Sequence, residues 1–113
     1  MFPFKNRVPK KNIEDVIKEG QKIYSESFLI KRKKNNLNIN RFAVVVSKKI
    51  SKRAIFRNLV KRRFLNSIQN YFKNNSTNID FFDYVIIVSP KQKDFSYKKV
   101  ANELESKFNE FNI

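Results

Sequence analysis

Between Glu26 and Asp80 the chain carries no carboxylate, yet the stretch from Lys48 to Arg63 sets cation after cation among apolar residues. A solvated helix of such density would normally interleave acids and gain pairing between residues one turn apart. Without them, any helix built here keeps an uncancelled positive face. The fold must bury the apolar side and leave the basic side open, which makes sense where a partner supplies the counter-charge. Net charge is +15, from 25 Lys and Arg against 10 Asp and Glu. Such an excess repels itself within a compact monomer and is expected where a polyanion neutralises it. Nucleic acid is the expected polyanion.

A chain of 113 residues is long enough for one core, so a single domain over residues 1–113 is expected. No apolar run approaches the roughly 18 residues of a membrane span, and the N-terminus lacks the apolar core of a signal peptide. The chain is therefore expected to be soluble and cytoplasmic, with no membrane partner. It has no Cys and no His. That removes zinc knuckles, thiol nucleophiles, imidazole bases and Ser-His triads. The one glycine, Gly20, excludes phosphate-binding loops that need several. Composition favours a binder of RNA over a stand-alone enzyme.

Periodicity predicts the elements. Met1 to Lys11 reads as an irregular basic arm broken by Pro3 and Pro9. A short helix follows, with Asn12 as N-cap, Ile13, Val16 and Ile17 on one face, and Gly20 as a left-handed C-terminal residue. Ser25 to Arg32 alternates as a strand, Phe28 and Ile30 on one side, Leu29 and Lys31 on the other. Lys33 to Asn40 reads as a hairpin-like loop, and Phe42 to Val46 as a strand buried on both faces. A long helix is predicted over Lys52 to Phe72. Its first turns put Ile55, Phe56, Leu59 and Val60 on one arc, with Arg57, Asn58, Lys61 and Arg62 opposite. Further along, Phe64, Leu65, Ile68, Tyr71 and Phe72 shift that arc toward the basic side. Lys73 to Asn78 reads as a loop, Tyr84 to Val88 as a strand and Ser96 to Phe111 as a helix. The order α-β-β-α-β-α predicts an α+β sandwich with helices on a small sheet.

Arg57 and Lys61 stand one turn apart, as do Asn58 and Arg62, which makes one patch for phosphates and sugar hydroxyls. Lys48, Lys49, Lys52 and Arg53 extend it into the preceding turn. Exposed phenylalanines could stack on unpaired bases, with Phe28 on the first strand the expected exception among core rings. Asp80 and Asp83, with Glu103 or Glu105, are the only carboxylates worth weighing as a Mg²⁺ site of a protein nuclease. Their spacing does not require convergence, and no protein catalytic or metal-binding residue is expected.

Ser47-Lys48-Lys49, Arg53-Ala54, Arg57-Asn58 and Lys61-Arg62, following a β-branched strand, resemble the signature of the bacterial ribonuclease P protein component. Asn6-Arg7-Val8, Val16 to Gly20, Phe28-Leu29-Ile30 and Asp83 to Ile87 resemble its flanking segments. The resemblance implies a mixed sheet with a left-handed βαβ crossover, against the usual chirality. It implies an RNA subunit that hydrolyses the 5′ leader from precursor tRNA with Mg²⁺, the protein supplying no catalytic group. Lys48, Lys49, Lys52, Arg53, Arg57, Asn58, Lys61 and Arg62 would then bind the RNA subunit. Ile13, Ile17, Phe28 and Ile30 would line a cleft for the leader. Two features depart from the family pattern. Leu59 stands where a second Arg is usual, on the apolar arc, and the first helix offers Ile13 and Ile17 where aromatics are common. A general RNA-binding or ribosomal protein of similar shape is the alternative.

Overall fold

A computed structural model describes residues 6–74, 80–90 and 94–111. Its elements run α1 (Lys10–Glu19), β1 (Gln21–Tyr24), β2 (Phe28–Lys34), β3 (Arg41–Val45), α2 (Ala54–Asn74), β4 (Phe82–Val88) and α3 (Tyr97–Glu110). The strands form one sheet in the order β1-β2-β4-β3. β3 and β4 are parallel and joined through α2, and the other two pairings are antiparallel. The architecture is the predicted α+β sandwich on a mixed sheet, with β1 as a further strand. Among the described residues no helix is long and apolar enough to cross a membrane.

Three details differ from expectation. β1 was not anticipated: Gln-Lys-Ile-Tyr is an edge strand with three of four residues exposed, so no apolar run marks it. The segment after β2 is not a hairpin, because β4 lies between β2 and β3; the hairpin is β1–β2. Helix α1 starts after Pro9 rather than at Asn12, whose N–H bonds to the Pro9 carbonyl at 2.9 Å. Pro is well suited to that entry because it cannot donate. Residues 1–5 of the arm and most of the loop after α2 lie outside the described residues. The end of the arm runs beside β3, with Val8 N–H donating to Phe42 O at 3.0 Å.

Gly20 does not serve as a left-handed cap. Its φ of −72° and ψ of 153° are extended, open to any residue. What it supplies is room: a Cβ would lie 2.5 Å from Val16 O and 2.8 Å from Arg32 O. The close approach lets α1 turn sharply into β1.

β4 carries the longest apolar run because neighbours flank it on both edges and helices cover it on both faces. Residues paired across the ladder share a face. Phe28, Ile30, Phe42, Val44, Tyr84, Ile86 and Val88 therefore point one way, into a core closed by Val60, Phe64, Ile68 and Tyr71 of α2 and Val100, Leu104 and Phe108 of α3. Aromatic rings dominate that layer, with Phe42 stacked on Tyr84 at 5.3 Å between centroids. Val85 points the other way and is buried, as is Val16 of α1, which packs on that second face.

The shifting apolar arc of α2 has a geometric origin. The buried line is Phe56, Val60, Phe64, Ser67, Ile68 and Tyr71, with Phe56 half-buried. Each step of four residues advances that line by about 40° around the helix, and the step of three from 64 to 67 brings it back. Ile55 falls off the line and is 85% exposed, contrary to its expected place on the apolar arc.

Candidate nucleic-acid interface

The turn that enters α2 is braced from within. Ile50 N–H donates to Ser47 O at 3.0 Å, Lys49 N–H to Ser47 Oγ at 3.3 Å, and Arg53 N–H to Ser51 Oγ at 3.1 Å. Serine hydroxyls commonly cap such turns, giving the backbone a partner that helix or strand would otherwise supply. Lys48, Lys49, Lys52 and Arg53 project outward from it. Lys48, Lys49, Ser51 and Lys52 surround a shallow depression.

Arg57 differs from its neighbours. It is half-buried, and its Nη1 donates to Ser51 O at 2.8 Å. The guanidinium ties the first turn of α2 back to the loop before it. Asn58, Lys61 and Arg62 are exposed. With Leu65 they form one wall of an open groove of about 670 Å³ whose other walls are Arg7, Val8 and Ile13 and the outer edge of β3. All eight predicted residues thus lie on the turn and the first half of α2. Arg57 stands behind the others.

The charge around them is uncancelled. Glu19, Glu26, Asp80, Asp83, Glu103 and Glu110 form ion pairs with Lys33, Lys99, Lys34, Arg41, Lys99 and Lys107 respectively. None of those cations belongs to the turn or to α2. Among the described residues, Lys48, Lys49, Lys52, Arg53, Arg57, Lys61 and Arg62 make no ion pair. The acids that do exist neutralise a different part of the surface.

The carboxylates weighed as a metal site do not converge. Asp83 receives Arg41 at 2.6 and 2.7 Å and Asn35 at 2.9 Å, raising the Arg41 pKa through the hydrogen bond. Asp80 faces Lys34. Glu103 accepts from Ser25 Oγ at 2.7 Å and from the amide and hydroxyl of Ser27. Asp80, Asp83 and Glu103 are thus committed to separate structural contacts, and among the described residues no group of three such side chains forms a metal site.

The second face of the sheet holds the remaining surface of interest. Register places Tyr24, Leu29, Ile87 and Val45 in one row across it, and Lys22, Lys31, Val85 and Ala43 in the next. Helix α1 packs over β2 and β4 on this face, where Lys31 Nζ donates to Ile17 O. Ile13 and Ile17 are half-buried along the helix. The first row keeps partial or full exposure at every position. Phe28 and Ile30, expected to line a cleft here, do not: they are 1% and 0% exposed, inside the layer closed by α2 and α3. The alternation of β2 held the correct answer. With Phe28 and Ile30 inside, Leu29 and Lys31 must face α1. Tyr24, Val45 and Ile87 were missed because only the pairing of four strands aligns them.

A small α+β domain with a braced basic turn, an unpaired cationic helix face and an open sheet surface defines a protein built to meet a polyanion. A family model described as Ribonuclease P matches residues 2–112. The ribonuclease P protein component of Ureaplasma parvum serovar 3 is 36% identical over 98 residues, covering 85% of this chain and 83% of that protein. That of Fusobacterium nucleatum is 32% identical over 106 residues, covering 88% and 91%. Among solved structures, the RNase P protein from Thermotoga maritima superposes with a TM-score of 0.71 at 25% identity, covering 92% of this chain and 96% of that one. A Staphylococcus aureus RNase P protein mutant gives 0.77 at 24% identity, covering 96% and 89%. The chain belongs to the ribonuclease P protein family.

Proposed function

We propose that this chain is the protein subunit of a ribonuclease P ribonucleoprotein, assisting the endonucleolytic removal of 5′ leaders from precursor tRNA in the cytoplasm. Lys48, Lys49, Lys52, Arg53, Asn58, Lys61 and Arg62 bind the RNA subunit. Arg57 holds their turn in shape. Arg bridges phosphate oxygens with its planar fork, Lys adds mobile point charge, and Asn58 reaches sugar hydroxyls or base edges. The leader lies on the open sheet face beside α1, along Val45, Ile87, Leu29 and Tyr24, with Ile13 and Ile17 adding nonpolar contact. Phosphodiester hydrolysis belongs to the RNA subunit, and Mg²⁺ held mainly by that RNA supplies the Lewis acid.

The observation that carries this reading is the segregation of charge. Among the described residues Lys48, Lys49, Lys52, Arg53, Lys61 and Arg62 make no ion pair, while six acids elsewhere are paired. Reconstitution tests it. The chain is added to a cognate RNA subunit at low Mg²⁺, and cleavage of precursor tRNA is followed with and without protein. Enhanced processing that needs both components is expected. Cleavage without the RNA subunit would establish a protein nuclease instead. RNA binding without enhanced processing would favour a general RNA-binding protein.

A further inference from the structure

Among the described residues Tyr24 is the aromatic side chain that the fold leaves most open. It is 64% exposed at the end of β1, the outer strand of the sheet. Among the described residues the other exposed aromatic is Tyr97, at 45%, whose hydroxyl accepts a hydrogen bond from Asn70 at 2.6 Å. Among the described residues no ring packs on Tyr24; its near neighbour is the Lys22 ammonium, 5.6 Å from the ring centroid. We propose that Tyr24 is a stacking platform for an unpaired base of the single-stranded leader, with Lys22 meeting an adjacent phosphate. The inference rests on the leader path proposed above.

Three features converge on it. The row Val45–Ile87–Leu29–Tyr24 starts where β3 leaves for the basic turn and crosses the sheet to Tyr24. Four strands at their usual spacing make that path about 14 Å long, with cations at both ends and no aromatic ring before Tyr24. Helix α1 adds only aliphatic Ile13 and Ile17. Any base that stacks on this surface therefore stacks on Tyr24, and base–aromatic stacking accepts any base because each has a π face.

The platform is also held still. A four-residue edge strand would fray by itself, but the turn after Tyr24 is clamped to α3. Glu103 takes Ser25 Oγ at 2.7 Å together with the amide and hydroxyl of Ser27. Ser25 N–H donates to Phe28 O and Ser89 N–H to Ser27 O, both at 2.8 Å. Glu26, the acid beside the platform, is drawn toward Lys99 at 3.6 Å, while Lys22 and Lys31 keep this face positive. That charge selects a nucleic-acid strand over an apolar protein surface, which would have to desolvate both lysines.

The test uses holoenzyme reconstituted with a cognate RNA subunit. Affinity is measured for precursor tRNA and for the same tRNA lacking a leader. Tyr24→Ala should weaken binding of the leader-bearing substrate by about tenfold, in line with one lost stack. It should leave the leaderless tRNA and the RNA-subunit affinity unchanged. Tyr24→Phe should bind as the parent does. An abasic residue at one leader position should weaken the parent and add nothing in Tyr24→Ala. Parental affinity in Tyr24→Ala, an equal loss on both substrates, or failure of Tyr24→Phe to restore binding would each overturn the proposal. A parent that shows no preference for a leader would instead sink the leader path itself, and Tyr24's role with it.

Discussion

Lys33, Lys34, Arg41, Lys99 and Lys107 each stand against a carboxylate, whereas among the described residues Lys48, Lys49, Lys52, Arg53, Arg57, Lys61 and Arg62 make no ion pair. Apart from Lys107, which pairs with Glu110 within α3, the first group ties parts of the fold to one another. Arg41 at the head of β3 reaches Asp83 on β4, and Lys99 links α3 to the β1–β2 turn. Within the second group, Arg57 braces its own turn through Ser51 O. Charges that build the structure and charges proposed to serve a partner are thus separated in space. Removing a member of the first should cost stability, and removing a member of the second should cost binding.

Arg41→Ala should produce the largest stability loss. The Arg41–Asp83 pair is bidentate, with side chains 16% and 7% exposed. Truncating the arginine leaves a buried carboxylate with Asn35 as its remaining side-chain donor, a loss of about 3 kcal/mol or more. Urea unfolding checks it; a midpoint close to the parent's would remove Arg41 from the structural group.

The next effect is set by pH. Burial pushes the Tyr84 hydroxyl up to about 12, against a smaller opposing pull from Arg32. In the unfolded chain the group titrates near 10, so the folded state binds its proton more tightly. Its contribution is fully present below pH 10 and is lost as pH rises toward 12, by roughly 2 kcal/mol. The difference between the parent and Tyr84→Phe, followed from pH 9 to 11.5, isolates it from the lysines. Parallel curves would exclude it.

Arg57→Lys sharpens the boundary between the two groups. Charge is kept while the reach of Nη1 to Ser51 O is lost, so RNA-subunit affinity should fall about fivefold, near 1 kcal/mol, with an unchanged salt slope. A slope lowered by about one phosphate contact would place Arg57 directly on the RNA.

The smallest stability effect is expected for the double replacement Lys61→Ala with Arg62→Ala, within about 0.5 kcal/mol of the parent. Its signature lies in binding: the dependence of log affinity on log salt should flatten by about 0.7–0.9 per lost contact. Clear destabilisation without a change of slope would reverse the assignment of α2.

Much of this was readable from residues alone. The acid-free span and the helical spacing of Arg57, Asn58, Lys61 and Arg62 are local features, and local features survive folding. β1 was hidden because a polar edge strand of four residues has no apolar period. Phe28 and Ile30, expected on an open cleft, lie in the core, although the alternation of β2 is as expected. Periodicity divides a strand into two faces without saying which face meets which helix. Gly20 was recognised as special for the wrong reason; the crowding comes from Val16 and from Arg32, the latter twelve residues away.

Composition and order alone determined that this protein has a basic helix inside an acid-free span, and no imidazole or thiol for chemistry. These follow from counting charges and from periods of two and 3.6, which each segment carries by itself. Tertiary structure decided that β4 separates β2 from β3, that Arg57 turns inward while Asn58 and Arg62 remain outside, and that Tyr24 joins Leu29, Ile87 and Val45 on one surface. Those outcomes depend on pairing between residues distant in the chain, where burial of the aromatic core chooses among arrangements that look equally good locally.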